Sequence, residues 1–206
     1  MIDHRASFGL VCAAILIAGC AGNGDKSNTD STSTATSATS ASPASSTPDS
    51  ANTPVDPAHY TDPNILAKEI TGDSGEVAIA TMARDKASSA AVKRYAELLV
   101  SDHSKGQKEA TELAKNVSIS PQTARGDTTT QAIAHAMTRL QGLAKGAAFD
   151  TAFVNHEVED HQQDIKDAQA MSGAANNAQV KALVEKSLPE LRKHLDQAQK
   201  LSGKKG

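Results

Sequence analysis

The sequence predicts an all-α protein, a four-helix bundle whose second and third long helices are joined by one long crossover containing a short extra helix. Three observations predict it. Residues 61–206 are rich in Ala, Leu, Lys, Glu and Gln, all strong helix formers. Strand-like runs of β-branched or aromatic residues are absent there, and only 2% of the chain is aromatic. Four long segments repeat their apolar residues at helical spacing.

The first helix is expected over residues 62–86. Asp62-Pro63 offers an N-cap followed by proline at the first helical position, where a missing N–H is harmless. Leu66, Ile70, Val77 and Ala80 mark its stripe, and Gly72 and Gly75 either weaken it or permit close packing. The second opens at Ser88 or Ser89, a fitting cap, and ends near Val117; Val92, Ala96, Leu99, His103, Ala110 and Leu113 fall along one face. The stretch SISPQTARGD breaks the pattern, and a shorter helix follows over 128–140. The third long helix spans 147–171, with Val154, Val158, His161, Ile165 and Ala168 as its stripe, Phe149 and Phe153 alongside, and Ser172-Gly173 as its end. The last spans 177–201, where Val180, Val184, Ser187, Leu191, His194, Ala198 and Leu201 line up. Pro189 inside it is expected to kink the helix, because proline lacks the N–H and clashes with the preceding turn. Four such helices with one long connection resemble the ferritin-like arrangement.

Ahead of the bundle, residues 1–19 read as a secretory signal: MIDHR with one arginine, then the uncharged apolar run SFGLVCAAILIAG. That run is too short to span a bilayer. Ile17-Ala18-Gly19-Cys20 resembles the lipobox of bacterial lipoproteins, which implies lipid such as palmitate on Cys20, the new N-terminus. Cys12 leaves with the signal, so the mature chain keeps neither a free thiol nor a disulfide. The residue after Cys20 is Ala21 and not the Asp that retains lipoproteins in the inner membrane. In a Gram-negative source this implies the periplasmic side of the outer membrane. Residues 20–60 are Ser, Thr, Ala, Pro and Asp with almost no large apolar side chain, and are expected to form a disordered tether. A flexible coil of about 40 residues has an r.m.s. reach on the order of 35 Å. Four Asp against Lys26 put the formal net charge of −3 in this tether and leave residues 61–206 neutral. A neutral domain poor in aromatics argues against nucleic acid as a partner. The partner expected is a membrane, through the lipid; protein partners are not specified.

Three histidines from three helices, His103, His161 and His194, fall on the apolar stripes. Glu76 lies one position beside the first stripe. Glu157 precedes His161 by four residues and Glu190 precedes His194 by four, which places each pair on one helical face. A carboxylate there can orient a ring or share a metal. Two readings stand side by side. One is a metal site for Zn, Fe, Cu or Mn on His103, His161 and His194, completed by Glu76. The other is a buried structural or pH-sensitive network, since a core histidine costs little when both ring nitrogens have partners. The di-iron carboxylate pattern needs Glu-x-x-His on two helices, and this chain has Glu-x-x-x-His instead. His135 and His156 fall off the stripes, His156 on a different face from His161, and His59 belongs to the tether. No Gly-x-Ser-x-Gly elbow and no phosphate loop occur, so no catalytic residue is nominated.

The segments EVAIATMARDKASSAAVKRYAELLVSDHSKGQKEATELA, GAAFDTAFVNHEVEDHQQDIKDAQ and LVEKSLPELRKHLDQAQKL resemble the bacterial DUF4142 family. The marks of that family fall on Glu76, Asp102-His103, Phe149-Asp150, His161, Leu188-Pro189 and His194, in order across residues 62–201. The resemblance implies an exported, ferritin-like bundle and leaves the activity open. The sequence favours a non-catalytic envelope lipoprotein with a structural, stress-related or binding role. The alternative is a metal-binding or redox protein using the inward histidines, with Asp102, Glu157 and Glu190 in support.

Overall fold

The computed structural model describes residues 60–203. The expected signal, Cys20 and the expected tether through His59 lie outside the described residues. Five helices follow one another: α1 (Asp62–Lys86), α2 (Ala90–Asn116), α3 (Thr129–Gln141), α4 (Ala147–Ala174) and α5 (Ala178–Ser202). No strand occurs among the described residues. No helix among them is long and apolar enough to cross a membrane.

Two apolar clusters establish the helix directions. One gathers Ile79 and Ala83 late in α1, Tyr95 and Leu99 early in α2, Phe149 and Phe153 at the start of α4, and Ala198 near the end of α5. The other gathers Ile65 and Leu66 early in α1, Ala114 late in α2, Met171 late in α4, and Val180 and Val184 early in α5. So α2 and α4 run one way, and α1 and α5 the other. Short turns join α1 to α2 and α4 to α5, while residues 117–146, with α3 among them, return along the bundle. This is the expected four-helix bundle with one long crossover. Phe149, Phe153, Ile65, Leu66, Ile79 and Leu99 are fully buried. Each such side chain stabilises the fold by about 1.5–3 kcal/mol before chain entropy is charged against it.

Paired turns are fastened by aspartates reaching across the bundle. Asp150 on α4 accepts from the Ser88 and Ser89 backbone N–H groups at 2.9 and 2.8 Å and from the Ser88 hydroxyl at 2.7 Å. Asp62 accepts from the Asn176 and Asn177 N–H groups, both at 3.0 Å. Asp62 is therefore the first residue of α1 and a clamp on the α4–α5 turn; the N-cap position belongs to Thr61. Ser89 and Asn177 cap α2 and α5 with their side chains.

The structure shifts several expected details. On α1 the inward face runs through Ile65, Leu66, Glu76, Ile79, Ala80 and Ala83; of the expected stripe Leu66 and Ala80 are buried, while Ile70 and Val77 are only half-buried. Tyr60, assigned to the tether, packs with the cluster containing Ile65 and Leu66. Helix α4 continues past Ser172-Gly173 to Ala174. Helix α5 continues across Pro189, an exposed position at which the Glu185 carbonyl loses its intrahelical donor. Gly75 lets α3 approach, because a Cβ there would collide with the Ile133 side chain.

Candidate metal centre

Between the two apolar clusters each long helix interrupts its buried run with a polar residue. Glu76 lies between Leu66 and Ile79 on α1, His103 between Leu99 and Ala110 on α2, Glu157 and His161 between Phe153 and Ala168 on α4, and His194 between Val184 and Ala198 on α5. Antiparallel hairpins bring these interruptions to one level. The three imidazole centroids form a near-equilateral triangle with sides of 5.7, 5.2 and 5.3 Å.

Each ring is held from outside the triangle. His103 Nδ1 meets Asp73 Oδ1 at 2.7 Å, His161 Nδ1 meets the Glu157 carbonyl oxygen at 3.0 Å, and His194 Nε2 meets Asp102 Oδ2 at 3.0 Å. A carbonyl oxygen only accepts, so His161 carries its proton on Nδ1. Burial raises the Asp102 carboxyl, but the bond from His194 and the charge of Lys193 outweigh it and hold the group below its usual range. An ionised Asp102 puts the His194 proton on Nε2. Asp73 is raised by burial against the opposing His103 bond. Its carboxylate form takes the Nδ1 proton of His103 as donor. Asp73 can reach His103 because it lies over the bare Cα of Gly106, where an added Cβ would sit 2.6 Å from Asp73 Oδ2.

These tautomers leave three lone pairs inside the triangle: His103 Nε2, His161 Nε2 and His194 Nδ1. His103 Nε2 is buried without a partner. His161 Nε2 and His194 Nδ1 face each other at 3.3 Å. Two lone pairs do not bond to each other; a proton or a cation must lie between them. Burial, reinforced by the neighbouring rings of His103 and His194, pushes His161 well below the usual imidazole range. His194 is lowered too, burial prevailing over Asp102. The proton is therefore disfavoured. A tetrahedral ion with Zn–N bonds of 2.0–2.1 Å separates its ligand nitrogens by about 3.3 Å, the spacing seen here. One ligand atom from each of the three histidines lies within 4.8 Å of the others.

The carboxylates of the layer behave differently. Glu157 is 0% exposed; no N–H or hydroxyl donor reaches either carboxyl oxygen, and its side-chain neighbour is the Glu76 carboxyl, with which it can share a proton. Its Oε2 lies 3.5 Å from His161 Nδ1, whose proton goes to the backbone carbonyl. Glu76 leaves Oε2 unpartnered. Burial, then the neighbouring acids, pushes Glu76, Glu157 and Asp164 well above the carboxylate range. An unpaired buried carboxylate costs several kcal/mol, so these groups call for protons or cations.

Two openings reach the layer. A narrow one between α1, α2 and α5, with room of about 90 Å³, touches His103, His194 and Glu76. A wider one between α1, α3 and α4, with room of about 670 Å³, touches Glu76, His156, Asp160 and Asp164. Of the residues nominated from sequence, His103, His161, His194, Glu76, Glu157 and Asp102 all meet in this layer. Glu190 lines the narrow opening, but His194 takes Asp102 as its partner instead. Sequence reasoning missed Asp73, whose i,i+3 spacing to Glu76 was the available signal. It also missed Asp160, and set aside His156, an i,i+4 pair on α4 that lies with Glu76.

No curated protein and no solved structure matches this chain. The model of the family described as a domain of unknown function (DUF4142) matches residues 44–201. That span contains every residue of the layer and both aspartate clamps. The chain belongs to the DUF4142 family.

Proposed function

We propose that this protein is a metal-binding helical bundle of the cell envelope, holding one transition-metal ion on His103, His161 and His194. The observation that carries the reading is the pair of opposed lone pairs, His161 Nε2 and His194 Nδ1 at 3.3 Å, with the unpartnered His103 Nε2 beside them. Three neutral imidazoles suit Zn or Cu, and the partners outside the ring fix the tautomers as they do in established metal sites. Glu76, on the same narrow opening, supplies a candidate fourth ligand. A purely structural network is the weaker reading, because it would give each ring nitrogen a hydrogen-bond partner. Lipid on Cys20 would hold the bundle on a membrane, supported by the signal-like segment and the lipobox resemblance of residues 17–20.

The test is elemental analysis of protein purified without a His tag, then dialysed against Zn²⁺ or Cu²⁺. At least one ion per chain is expected, and the His103→Ala/His161→Ala/His194→Ala variant should hold one ion fewer, with helical circular dichroism retained. Wild-type protein that emerges without metal from both dialyses overturns the reading. Incorporation of labelled palmitate, lost in Cys20→Ala, tests the anchor separately.

A further inference from the structure

We propose that the centre is dinuclear: a second divalent cation binds at Glu76, His156 and Asp160, next to the ion on the histidine triangle. The proposal rests on the reading of that triangle as a metal site. One ligand atom from each of Glu76, His156 and Asp160 lies within 4.8 Å of the others, and Glu76 forms a second such group with Glu157 and His161. Glu76 thus stands between the two positions, one facing the triangle and one facing the wide cleft.

The orphaned atoms support the site independently. Glu76 is 5% exposed with Oε2 unpartnered, and His156 Nε2 is buried and unpartnered. No N–H or hydroxyl donor reaches either oxygen of Glu157, which meets the Glu76 carboxyl. A cluster of acids alone would be ambiguous; an imidazole nitrogen without a partner among them is a ligand set. Two cations stand near: Lys68 is paired with Asp167 at 3.1 Å, and Arg139 stands on the rim of the wide cleft, where burial and the Arg139 charge keep His156 neutral and so able to ligate. His156 and Asp160 are four residues apart on α4 and present one face, while Glu76 comes from α1 opposite. The donors are one imidazole and two carboxylates. This set is harder than three imidazoles and favours Mn²⁺ or Fe²⁺, where the triangle favours Zn²⁺ or Cu²⁺. The wide cleft gives a hydrated ion direct access.

The experiment uses full-length protein stripped of metal and loaded with one equivalent of Zn²⁺, then titrated with Mn²⁺ while the six-line EPR signal of free Mn²⁺ is followed. One Mn²⁺ per chain is expected to bind. In His156→Ala/Asp160→Asn, Zn²⁺ uptake should persist, which also reports an intact fold, and Mn²⁺ affinity should fall at least tenfold. Asp160→Glu, which keeps the carboxylate, should retain Mn²⁺ binding. Zinc uptake without Mn²⁺ uptake in the wild type overturns the second site and leaves the first standing. Mn²⁺ binding that the double variant does not weaken overturns it as well. No zinc uptake removes both.

Discussion

On the histidine side of the central layer every ring is braced from outside: Asp73 holds His103, the Glu157 carbonyl holds His161, and Asp102 holds His194. On the carboxylate side Glu157, equally buried, has no brace, and Glu76 has an oxygen left over. Braced rings aim lone pairs inward whether or not anything is bound. Unbraced carboxylates store an electrostatic cost that only a proton or a cation removes. A structural polar network would satisfy both sides from within, and this one satisfies neither inner edge.

The largest effect expected from this contrast is on stability. An ion bound to the folded chain alone, at a thousand times its Kd, stabilises it by about 4 kcal/mol. For a domain of this size that corresponds to a rise in Tm of roughly 10 °C. Calorimetry with and without Zn²⁺ should show the rise in wild type and none in the triple-alanine histidine variant. Equal melting temperatures with and without ion in the wild type would break the comparison at its root.

The braces come next. Asp73→Asn and Asp102→Asn should each weaken metal binding about 10- to 100-fold, because they release the tautomer and the ring orientation. Glu190→Gln should leave affinity unchanged, since His194 is held by Asp102. A competition titration with a chromophoric chelator would measure all three. Equal losses at Glu190 and Asp102 would mean that charge near the site, and not bracing, sets affinity.

The helices were legible from the sequence because composition and breakers act locally: Ser89, Asn177 and the SISPQTARGD break all delimit elements as expected. The inward face was legible on α2 and α5, where apolar residues alternate cleanly with charged ones around His103 and His194. On α1 Leu66 and Ala80 are buried as expected, but Ile70 and Val77 are not. The true face carries Glu76, Asp73 and two glycines, so apolar periodicity picked the half-buried Val77 and Ile70 instead. The same cause hid the second cluster. His156 and Asp160 sit on a half-buried flank of α4, where hydrophobicity alone does not distinguish a ligand from a solvated residue. Candidate ligands are hardest to place where they replace the apolar pattern that would locate them.

Within α4 itself two buried carboxylates allow the comparison to be drawn at single-residue scale. Asp150 accepts three hydrogen bonds at the α1–α2 turn, and Glu157, two turns later, accepts none from an N–H or hydroxyl donor. Their replacement should have opposite signs in metal-free protein. Asp150→Ala removes a cap on the start of α2 and should destabilise by about 1 kcal/mol. Glu157→Met exchanges an unpaired buried acid for an apolar side chain of similar length and should stabilise by about 1 kcal/mol or more. Urea midpoints at constant slope would measure both. The pH profile separates Asp150 further. Burial raises its carboxyl, but the Ser88 hydroxyl, the Ser88 and Ser89 N–H groups and Lys93 outweigh that and hold it below the ordinary aspartate value of about 3.9. Its contribution is therefore complete above that value and is lost as pH falls through the lower folded one. Wild type should lose its advantage over Asp150→Asn only below about pH 4. A difference that stays constant down to pH 2.5 would mean that the charge of Asp150 contributes nothing and that the geometry of its hydrogen bonds alone holds the turn.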